Sequence, residues 1–336
     1  MPANLTPQYL EAERRYRQAQ TPEEQLAALE EMMATIPKHK GTEHMRADIR
    51  RRMAKARTEA ARRRSSAKGP TWHHVPREGA GQIALVGPPN AGKSRLLAAL
   101  SNATPVVAPY PFATRQPLPG MVAYENIQIQ LVDLPPIAPE TSEPWLFALI
   151  RQADGALLVA DLSDDDLLAG IEQTLELAAQ FRTRLVGSRP GGAPGPTARR
   201  RPPGDEAVPA LLVGAKADAP DAATRLEILR EIYGERFPVL AVSADTGVRL
   251  DALRAEMFRL LDVIRVYTKI PGHKPDLSAP FVLPRGSTVQ DAAAAIHKDF
   301  VERLKYARIW GARTFEGQMV QREHVLDDGD VIELHA

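Results

Sequence analysis

One eight-residue segment constrains the fold of this 336-residue chain more than any other. It reads Gly87, Pro88, Pro89, Asn90, Ala91, Gly92, Lys93 and Ser94. This order fits G-x-x-x-x-G-K-[ST], the phosphate-binding loop, or P-loop. Residues 82–86 are apolar and β-branched and predict a buried strand, whereas residues 95–100 are strong helix formers. A loop between a strand and a helix lets backbone N–H groups converge on a phosphate at the positive end of the helix.

The eight loop residues are therefore predicted to bind a nucleotide. Lys93 would reach the β- and γ-phosphates, and the Ser94 hydroxyl would bind Mg²⁺. A glycine-containing turn that binds nothing is the alternative interpretation. The strand–loop–helix context argues against that alternative, because the motif lies where a phosphate site requires it.

The bulk composition sets wider limits. The length allows two or three domains, and a net charge of +1 does not by itself indicate a partner. The chain has no cysteine, which excludes disulfides and thiolate metal sites and fits a reducing compartment. We see no signal peptide and no run of 18 apolar residues. We therefore expect a cytoplasmic protein without a membrane span.

The N-terminal region, residues 1–68, is polar and predicts helices over residues 7–20, 22–35 and 42–65. Residues 38–68, here called the basic segment, contain twelve basic and three acidic residues, a local net charge of +9. Such a concentration indicates contact with RNA or another polyanion. A solvated helix face or a purely structural helical hairpin is the alternative.

Residues 69–81 read as a linker, and its pair His73-His74 lacks a nearby carboxylate that would suggest a metal site. Strands and helices alternate from residue 82 to about 264, which predicts an α/β domain with helices on both faces of a sheet. A segment rich in Pro, Gly and Arg, residues 187–204, interrupts the alternation and is expected to be a mobile loop. Residues 265–336 read as a small α+β module.

Two further segments could complete a magnesium site. Asp133 follows an apolar run and so ends a strand, where it could hold Mg²⁺ through water. Thr114, in the loop of residues 110–114, could bind the metal and sense a γ-phosphate. The predicted metal ligands are therefore Ser94, Thr114 and Asp133.

The predicted base-binding residues follow two later strands. Lys216 and Asp218 form a Lys-x-Asp motif, whose carboxylate can accept two hydrogen bonds from the guanine edge. Adenine lacks that pair of donors, so the motif favours GTP over ATP. Ser243 and Ala244 would contact the base through a hydroxyl and a backbone N–H.

These motifs, in this order, resemble the five nucleotide boxes, G1 to G5, of translation-factor-class GTPases. The sequences of residues 87–94 and 110–114 resemble those of the branch formed by Obg and the developmentally regulated GTP-binding (DRG) proteins. Residues 37–44 resemble the turn into the basic helix of DRG proteins. The C-terminal module resembles the TGS domain, a β-grasp fold, at residues 285–289, 296–299, 305–307, 309–311 and 324–331. The insert that these proteins usually carry inside the GTPase domain is not evident.

The resemblance implies a Ras-like P-loop GTPase domain over residues 82–264, a TGS domain over residues 265–336, and GTP binding and hydrolysis to GDP. It implies catalytic roles for Asn90, Lys93 and Thr114, with Mg²⁺ as cofactor. Catalysis in this branch is often assisted by K⁺ through the P-loop asparagine, here Asn90. The implied partners are GTP or GDP and the ribosome or RNA, through residues 38–68 and 265–336, with a regulatory protein as a further candidate.

The chain departs from the family pattern at three positions. Pro136 replaces the glycine of the G3 box, and proline has no N–H to bond a γ-phosphate. Ala215 replaces the G4 asparagine, which removes a tie between the base loop and the P-loop, and Asp245 replaces a lysine in the G5 box. The residue after Pro136, Ile137, cannot orient a water through a polar side chain. We therefore expect weak, slow GTP hydrolysis, and a nucleotide-binding scaffold with negligible turnover is the alternative.

Overall fold

The computed structural model describes residues 7–19, 22–36, 45–54, 75–101, 116–139, 142–187, 207–297, 302–313 and 315–335. The chain divides into two compact units, Met1–Thr71 and Trp72–Ala336. No helix among the described residues is long and apolar enough to cross a membrane.

The N-terminal unit is helical, as predicted. It contains α1 (Pro7–Gln18), α2 (Pro22–Thr35) and α3, which covers residues 45–54 of the predicted helix at 42–65. Met45, Ile49 and Met53 lie four residues apart on α3 and so face the same small core. Arg50 and Arg51 consequently point to solvent. Residues 37–44 and 55–74, which include most of the basic segment and His73-His74, lie outside the described residues.

A seven-stranded sheet forms the first part of the second unit, and its strands follow the predicted alternation. The strands are β1 (Gln82–Val86), β2 (Leu118–Tyr124), β3 (Ile127–Asp133), β4 (Gly155–Asp161), β5 (Arg184–Gly187), β6 (Ala207–Ala215) and β7 (Val239–Ala241). Their order is β2-β3-β1-β4-β6-β5, with β7 also paired to β6, and every pair except β2–β3 is parallel. The short β5 was not predicted. Residues 188–206, which hold nearly all of the expected mobile loop, lie outside the described residues.

In the described part of this domain, five helices cover the two faces of the sheet. They are α4 (Lys93–Leu100), α5 (Pro144–Gln152), α6 (Leu167–Gln180), α7 (Ala222–Tyr233) and α8 (Leu250–Leu261). Helices α5, α6 and α7 bury apolar side chains in one core, whereas α4 and α8 bury theirs in a second core on the opposite face. This doubly covered, mainly parallel sheet is the expected Ras-like architecture.

The C-terminal module contains a second sheet, on which a helix packs. The strands are β8 (Val263–Thr268), β9 (Asp276–Pro284), β10 (Tyr306–Trp310), β11 (Gln318–Val320) and β12 (Val331–His335), in the order β11-β10-β12-β8-β9. Strands β8 and β12 are parallel and the other neighbours are antiparallel. The helix, α9 (Val289–Ile296), begins with a capping box between Thr288 and Asp291. The arrangement is the expected β-grasp fold.

The boundary between the two sheets differs from the sequence prediction. The first domain was expected to extend to residue 264, but α8 ends at Leu261 and the first strand of the C-terminal module begins at Val263. Asp262 adopts a left-handed conformation with φ 50°, which stops the helix, and its carbonyl accepts a hydrogen bond from the Arg285 N–H. The β-branched pair Val263-Ile264 can then begin β8.

The end of the predicted linker is also structured. The Ala80 N–H donates to the Gln128 carbonyl at 2.8 Å, and the Gly81 carbonyl accepts from the Gln130 N–H at 2.9 Å. Arg77 forms an ion pair with the buried Asp154 at 3.1 Å. Residues 77–81 therefore pack against the first sheet instead of forming a free connection.

Arg265 joins the C-terminal module to the first sheet. Its side chain is only 13% exposed and forms an ion pair with Glu125, in the turn between β2 and β3. On its other side it makes a two-pronged contact with Asp328, at 2.8 and 3.1 Å. The guanidinium also lies 5.0 Å from the ring centre of Phe258 on α8. Two carboxylates and an aromatic ring thus hold one cation in a mostly buried position.

Further contacts on both sides of Arg265 strengthen this joint between the C-terminal module and the first sheet. The Asn126 amide, in the same β2–β3 turn, donates to the Tyr267 hydroxyl at 2.5 Å and to the Leu277 carbonyl at 3.1 Å. Arg285 forms an ion pair with Asp262 at 3.0 Å. The C-terminal module is therefore fixed to the β2–β3 turn through polar side chains.

We expect Arg265→Ala to loosen this joint, because it leaves the Asp328 carboxylate, which is only 27% exposed, without its cation. Breaking such a pair costs about 3 kcal/mol, which should lower the free energy of opening of β8 and β9. Hydrogen exchange of the amides in these strands measures that free energy. The control is Arg308→Ala on β10, whose exposed side chain should contribute less than about 0.5 kcal/mol. Equal effects of the two substitutions would contradict this assignment.

Candidate functional site

Parallel pairing brings the P-loop and Asp133 to the same edge of the first sheet. Strand β1 lies between β3 and β4, with Leu85 opposite Asp133 and Val86 opposite Leu158. Because the carboxyl ends of these strands meet, the loop after β1 lies next to the last residue of β3. Ligands bind at this edge of open α/β sheets.

The backbone of the loop is tightly placed. A Cβ on Gly87 would lie 2.5 Å from the Val159 carbonyl oxygen of the neighbouring strand, so only glycine fits there. Asn90 at the exposed tip and Gly92 before the helix adopt positive φ values of 59° and 90°. The loop therefore has the curled shape that the G-x-x-x-x-G-K-[ST] motif predicts.

Lys93 lies in the centre of this loop. Its side chain is buried, and its Nζ donates to the Gly87 carbonyl at 2.9 Å and to the Pro88 carbonyl at 2.8 Å. Burial lowers the pKa of Lys93 to about 8, although the charge of Asp133 acts in the opposite direction. The ammonium group is thus held by neutral carbonyls at the place where a phosphate would supply negative charge.

Ser94 and Asp133, two of the three predicted metal ligands, are in direct contact. The Ser94 hydroxyl lies 2.5 Å from Asp133 Oδ2, and the Asp133 side chain is fully buried. A hydroxyl and a carboxylate are hard oxygen ligands of the kind that Mg²⁺ prefers, so this pair fits the predicted metal. The third predicted ligand, Thr114, falls in residues 102–115, outside the described residues.

The loop after Asp133 is buried and bonded to the P-loop. Leu134, Pro135, Pro136 and Ile137 are all buried. The Ile137 N–H donates to the Gly87 carbonyl at 3.1 Å, the same oxygen that accepts from Lys93. Since neither proline carries an N–H, no backbone donor between residues 135 and 137 is available to a phosphate in this conformation.

The predicted base-binding residues come together because β6 and β7 are parallel neighbours. The Val242 N–H donates to the Gly214 carbonyl at 2.8 Å, and the Ala217 N–H donates to the Val242 carbonyl at 3.0 Å. The Ser243 hydroxyl hydrogen-bonds the Asp218 carboxylate and lowers its pKa. Asp218 is exposed and ionised, so its carboxylate is ready to accept hydrogen bonds. Ala244 follows Ser243 in the same loop.

Lys216 has partners that sequence reasoning missed. Its Nζ lies 2.5 Å from Asp161 Oδ2, at the carboxyl end of β4, and 3.3 Å from the Ser163 hydroxyl. Lys216 also adopts a left-handed backbone with φ 58°. The position of Asp161 at the end of a buried strand, as with Asp133, is the signal that could have identified it.

The P-loop and the base loops meet at two further places. A Cβ built on Gly92 would lie 3.5 Å from the Ala215 Cβ. Arg95, directly after Ser94, bonds Asp245 Oδ1 through Nε at 2.6 Å and forms an ion pair with it at 2.5 Å. Asp245 follows Ser243 by two residues, so this pair links the helix after the P-loop to the G5 loop.

Two family models match the chain. A model described as TGS domain matches residues 264–336, and one described as 50S ribosome-binding GTPase matches residues 82–186. These ranges correspond to the C-terminal module and to most of the first sheet. The exact domain boundaries stay predictions.

Similar solved structures include a GTP-binding protein from Pyrococcus horikoshii, at 16% identity and a TM-score of 0.47. That match covers 76% of this chain and 99% of that chain. A variant of Era from Aquifex aeolicus, bound to GDP and aluminium fluoride, matches at 20% identity and a TM-score of 0.41, covering 68% of this chain and 71% of that chain.

Curated relatives extend over nearly the whole chain. An uncharacterized GTP-binding protein of Methanocaldococcus jannaschii is 28% identical, covering 92% of this chain and 92% of the relative. Developmentally-regulated G-protein 2 of Arabidopsis thaliana is 27% identical, covering 93% and 90%. Developmentally-regulated GTP-binding protein 1 of Xenopus laevis is 27% identical, covering 92% and 97%. The chain thus joins a P-loop GTPase domain to a TGS domain and is similar, over more than 90% of its length, to developmentally regulated GTP-binding proteins.

Proposed function

We propose that this protein binds GTP and GDP and hydrolyses GTP slowly. The observation that carries this proposal is the arrangement of three features at one edge of the first sheet. These are the buried ammonium of Lys93, the Ser94–Asp133 oxygen pair and the Asp218 carboxylate beside Ser243. Together they match the charges of a phosphate chain, its metal and a guanine edge.

Each group has a distinct role in nucleotide binding. Lys93 would exchange its two carbonyl partners for phosphate oxygens, because an anionic oxygen attracts the ammonium more strongly than a neutral carbonyl does. Asp218 would select guanine, because adenine would leave the carboxylate facing no donor. Ser94, Asp133 and Thr114 would hold Mg²⁺, which neutralises charge on the phosphates when bound.

Slow turnover follows from the loop after Asp133. Pro136 cannot donate to a γ-phosphate, and the Ile137 N–H is bonded to the Gly87 carbonyl. Asn90, exposed at the P-loop tip, could support K⁺-assisted hydrolysis. Phosphate release measured with and without K⁺ and ribosomes tests this function, and a flat result in every condition would favour the scaffold alternative. Competition of labelled GTP by GDP and by ATP tests the choice of base.

We expect Pro136→Gly to raise both GTP turnover and the preference for GTP over GDP. The glycine restores an N–H at the position that would contact the γ-phosphate. A hydrogen bond to a charged group is worth about 1.5–3 kcal/mol, so the preference should rise at least about tenfold. Nucleotide titration and single-turnover hydrolysis measure the two effects.

The matched control is Pro135→Gly, which relaxes the same loop without placing an N–H at residue 136. It should leave the GTP preference unchanged. If Pro136→Gly also left the preference and the turnover unchanged, the account of this loop would be wrong.

We expect binding of Mg²⁺–GDP to take up a proton when the pH is near 8. The free site holds Lys93 with a pKa of about 8, and the arriving phosphates favour its charged form and raise that pKa. Proton uptake should therefore rise from about 0.1 per site at pH 7 to about 0.5 at pH 8, and affinity should fall as the pH rises further. Calorimetry in two buffers of different ionisation enthalpy measures the uptake. Less uptake at pH 8 than at pH 7 would contradict this role of Lys93.

We also propose that the protein associates with RNA or the ribosome in the cytoplasm, through residues 38–68 and 265–336. The local charge of +9 supports a role for the basic segment, and Arg50 and Arg51 on α3 are exposed. The match to a ribosome-binding GTPase model supports the ribosome as the partner. Residues 265–336 contain ten basic and ten acidic residues. A contact of this region with RNA would therefore depend on where its basic side chains lie on the surface.

We expect the double variant Arg50→Gln/Arg51→Gln to weaken binding to ribosomes or RNA and to reduce its salt dependence. Each lost phosphate contact should lower the slope of log K against log salt by nearly one unit. Co-sedimentation over a salt series measures this slope. The control Arg14→Gln/Arg17→Gln removes two exposed cations from α1 and should change the slope less. Binding that does not depend on salt would indicate a protein contact instead.

A further inference from the structure

The pair Arg95–Asp245 connects two loops that would hold opposite ends of a nucleotide. Arg95 lies in the first turn of α4, immediately after the phosphate-binding residues Lys93 and Ser94. Asp245 lies two residues after Ser243, which hydrogen-bonds the base-selecting Asp218. Nε and Nη2 of Arg95 both approach Oδ1 of Asp245, at 2.6 and 2.5 Å.

A second contact between the base loop and the P-loop, through an amide at position 215, is lost in this chain. The G4 box usually has an asparagine at the position of residue 215. Here Ala215 places only a methyl group beside Gly92. The contact between the base loop and the P-loop at this point is therefore apolar. Asp245 is itself a departure from the lysine expected in the G5 box, and a lysine there would repel Arg95.

We propose that Arg95 and Asp245 form a latch that slows the release of a bound guanine nucleotide. The latch rests on the proposed nucleotide-binding function and adds a positioning role for Arg95, which lies outside the recognised motifs, and for Asp245 in the G5 box. A nucleotide held between the P-loop and the base loops leaves when these parts separate, and their separation breaks the ion pair. The loss of the amide at position 215 is thereby partly offset by a charge pair nearby.

The exposure of the pair sets the size of the effect. The two side chains are 57% and 55% exposed, so the pair is screened by water and salt and contributes little to folding. Exposed ion pairs are worth up to about 1 kcal/mol, which corresponds to an effect on release of about two- to fivefold. The latch should therefore change dissociation rates while leaving the thermal unfolding midpoint of the nucleotide-free chain unchanged.

The test is a double-mutant cycle on the dissociation rate of fluorescently labelled GDP from the full chain. Arg95→Ala and Asp245→Ala should each release GDP about two- to fivefold faster at low salt, and the double variant no faster than either. The charge-reversed variant Arg95→Asp/Asp245→Arg should recover slow release. In about 1 M salt, where the Debye length is about 3 Å, the differences should nearly vanish.

A matched control removes an ion pair away from the site. Glu256→Ala breaks the Glu256–Arg259 pair within α8 and should leave the release of GDP unchanged. Additive effects of the two single variants, or no effect of either in a chain that binds GDP, would overturn the latch alone. A wild-type chain that does not bind GDP would overturn the proposed nucleotide function together with it.

Discussion

The parallel pairing of β1 with both β3 and β4 is the constraint on which the site depends. It sets Leu85 opposite Asp133, so the carboxylate predicted to bind the metal lies beside the loop that would hold the phosphates. It also brings Gly87 so close to Val159 that a Cβ would clash at 2.5 Å. The same register therefore explains a chemical requirement at residue 133 and a steric requirement at residue 87.

The β2–β3 hairpin extends this arrangement to the C-terminal module. Strand β3 ends at Asp133 in the site and begins next to the turn that contains Glu125 and Asn126. That turn contacts Arg265 and Tyr267 of the module through an ion pair and a hydrogen bond. The module is therefore attached to the strand that supplies Asp133, and the seven register pairs between β2 and β3 make this connection stiff.

Local patterns predicted most of the fold and the site, whereas long-range partners escaped prediction. The P-loop, the alternation of strands and helices after it and the α2 bounds follow from motif, hydrophobic pattern and capping. The short strands β5 and β11 carry too few residues to show a pattern and exist through pairing with β6 and β10. The end of α8 depends on the left-handed Asp262, which sequence does not reveal. Asp161 and Arg265 acquire their roles only from partners 55 and 63 residues away.

The carbonyl of Gly87 connects the P-loop to the loop after Asp133. It accepts hydrogen bonds from both the Lys93 ammonium and the Ile137 N–H, so the loop after Asp133 is held by the P-loop itself. Any phosphate chain that draws Lys93 away removes one of the two donors to the Gly87 carbonyl. This holds for GDP as well as for GTP. With Pro136 unable to donate, the loop would respond to the presence of a nucleotide more than to the difference between GTP and GDP.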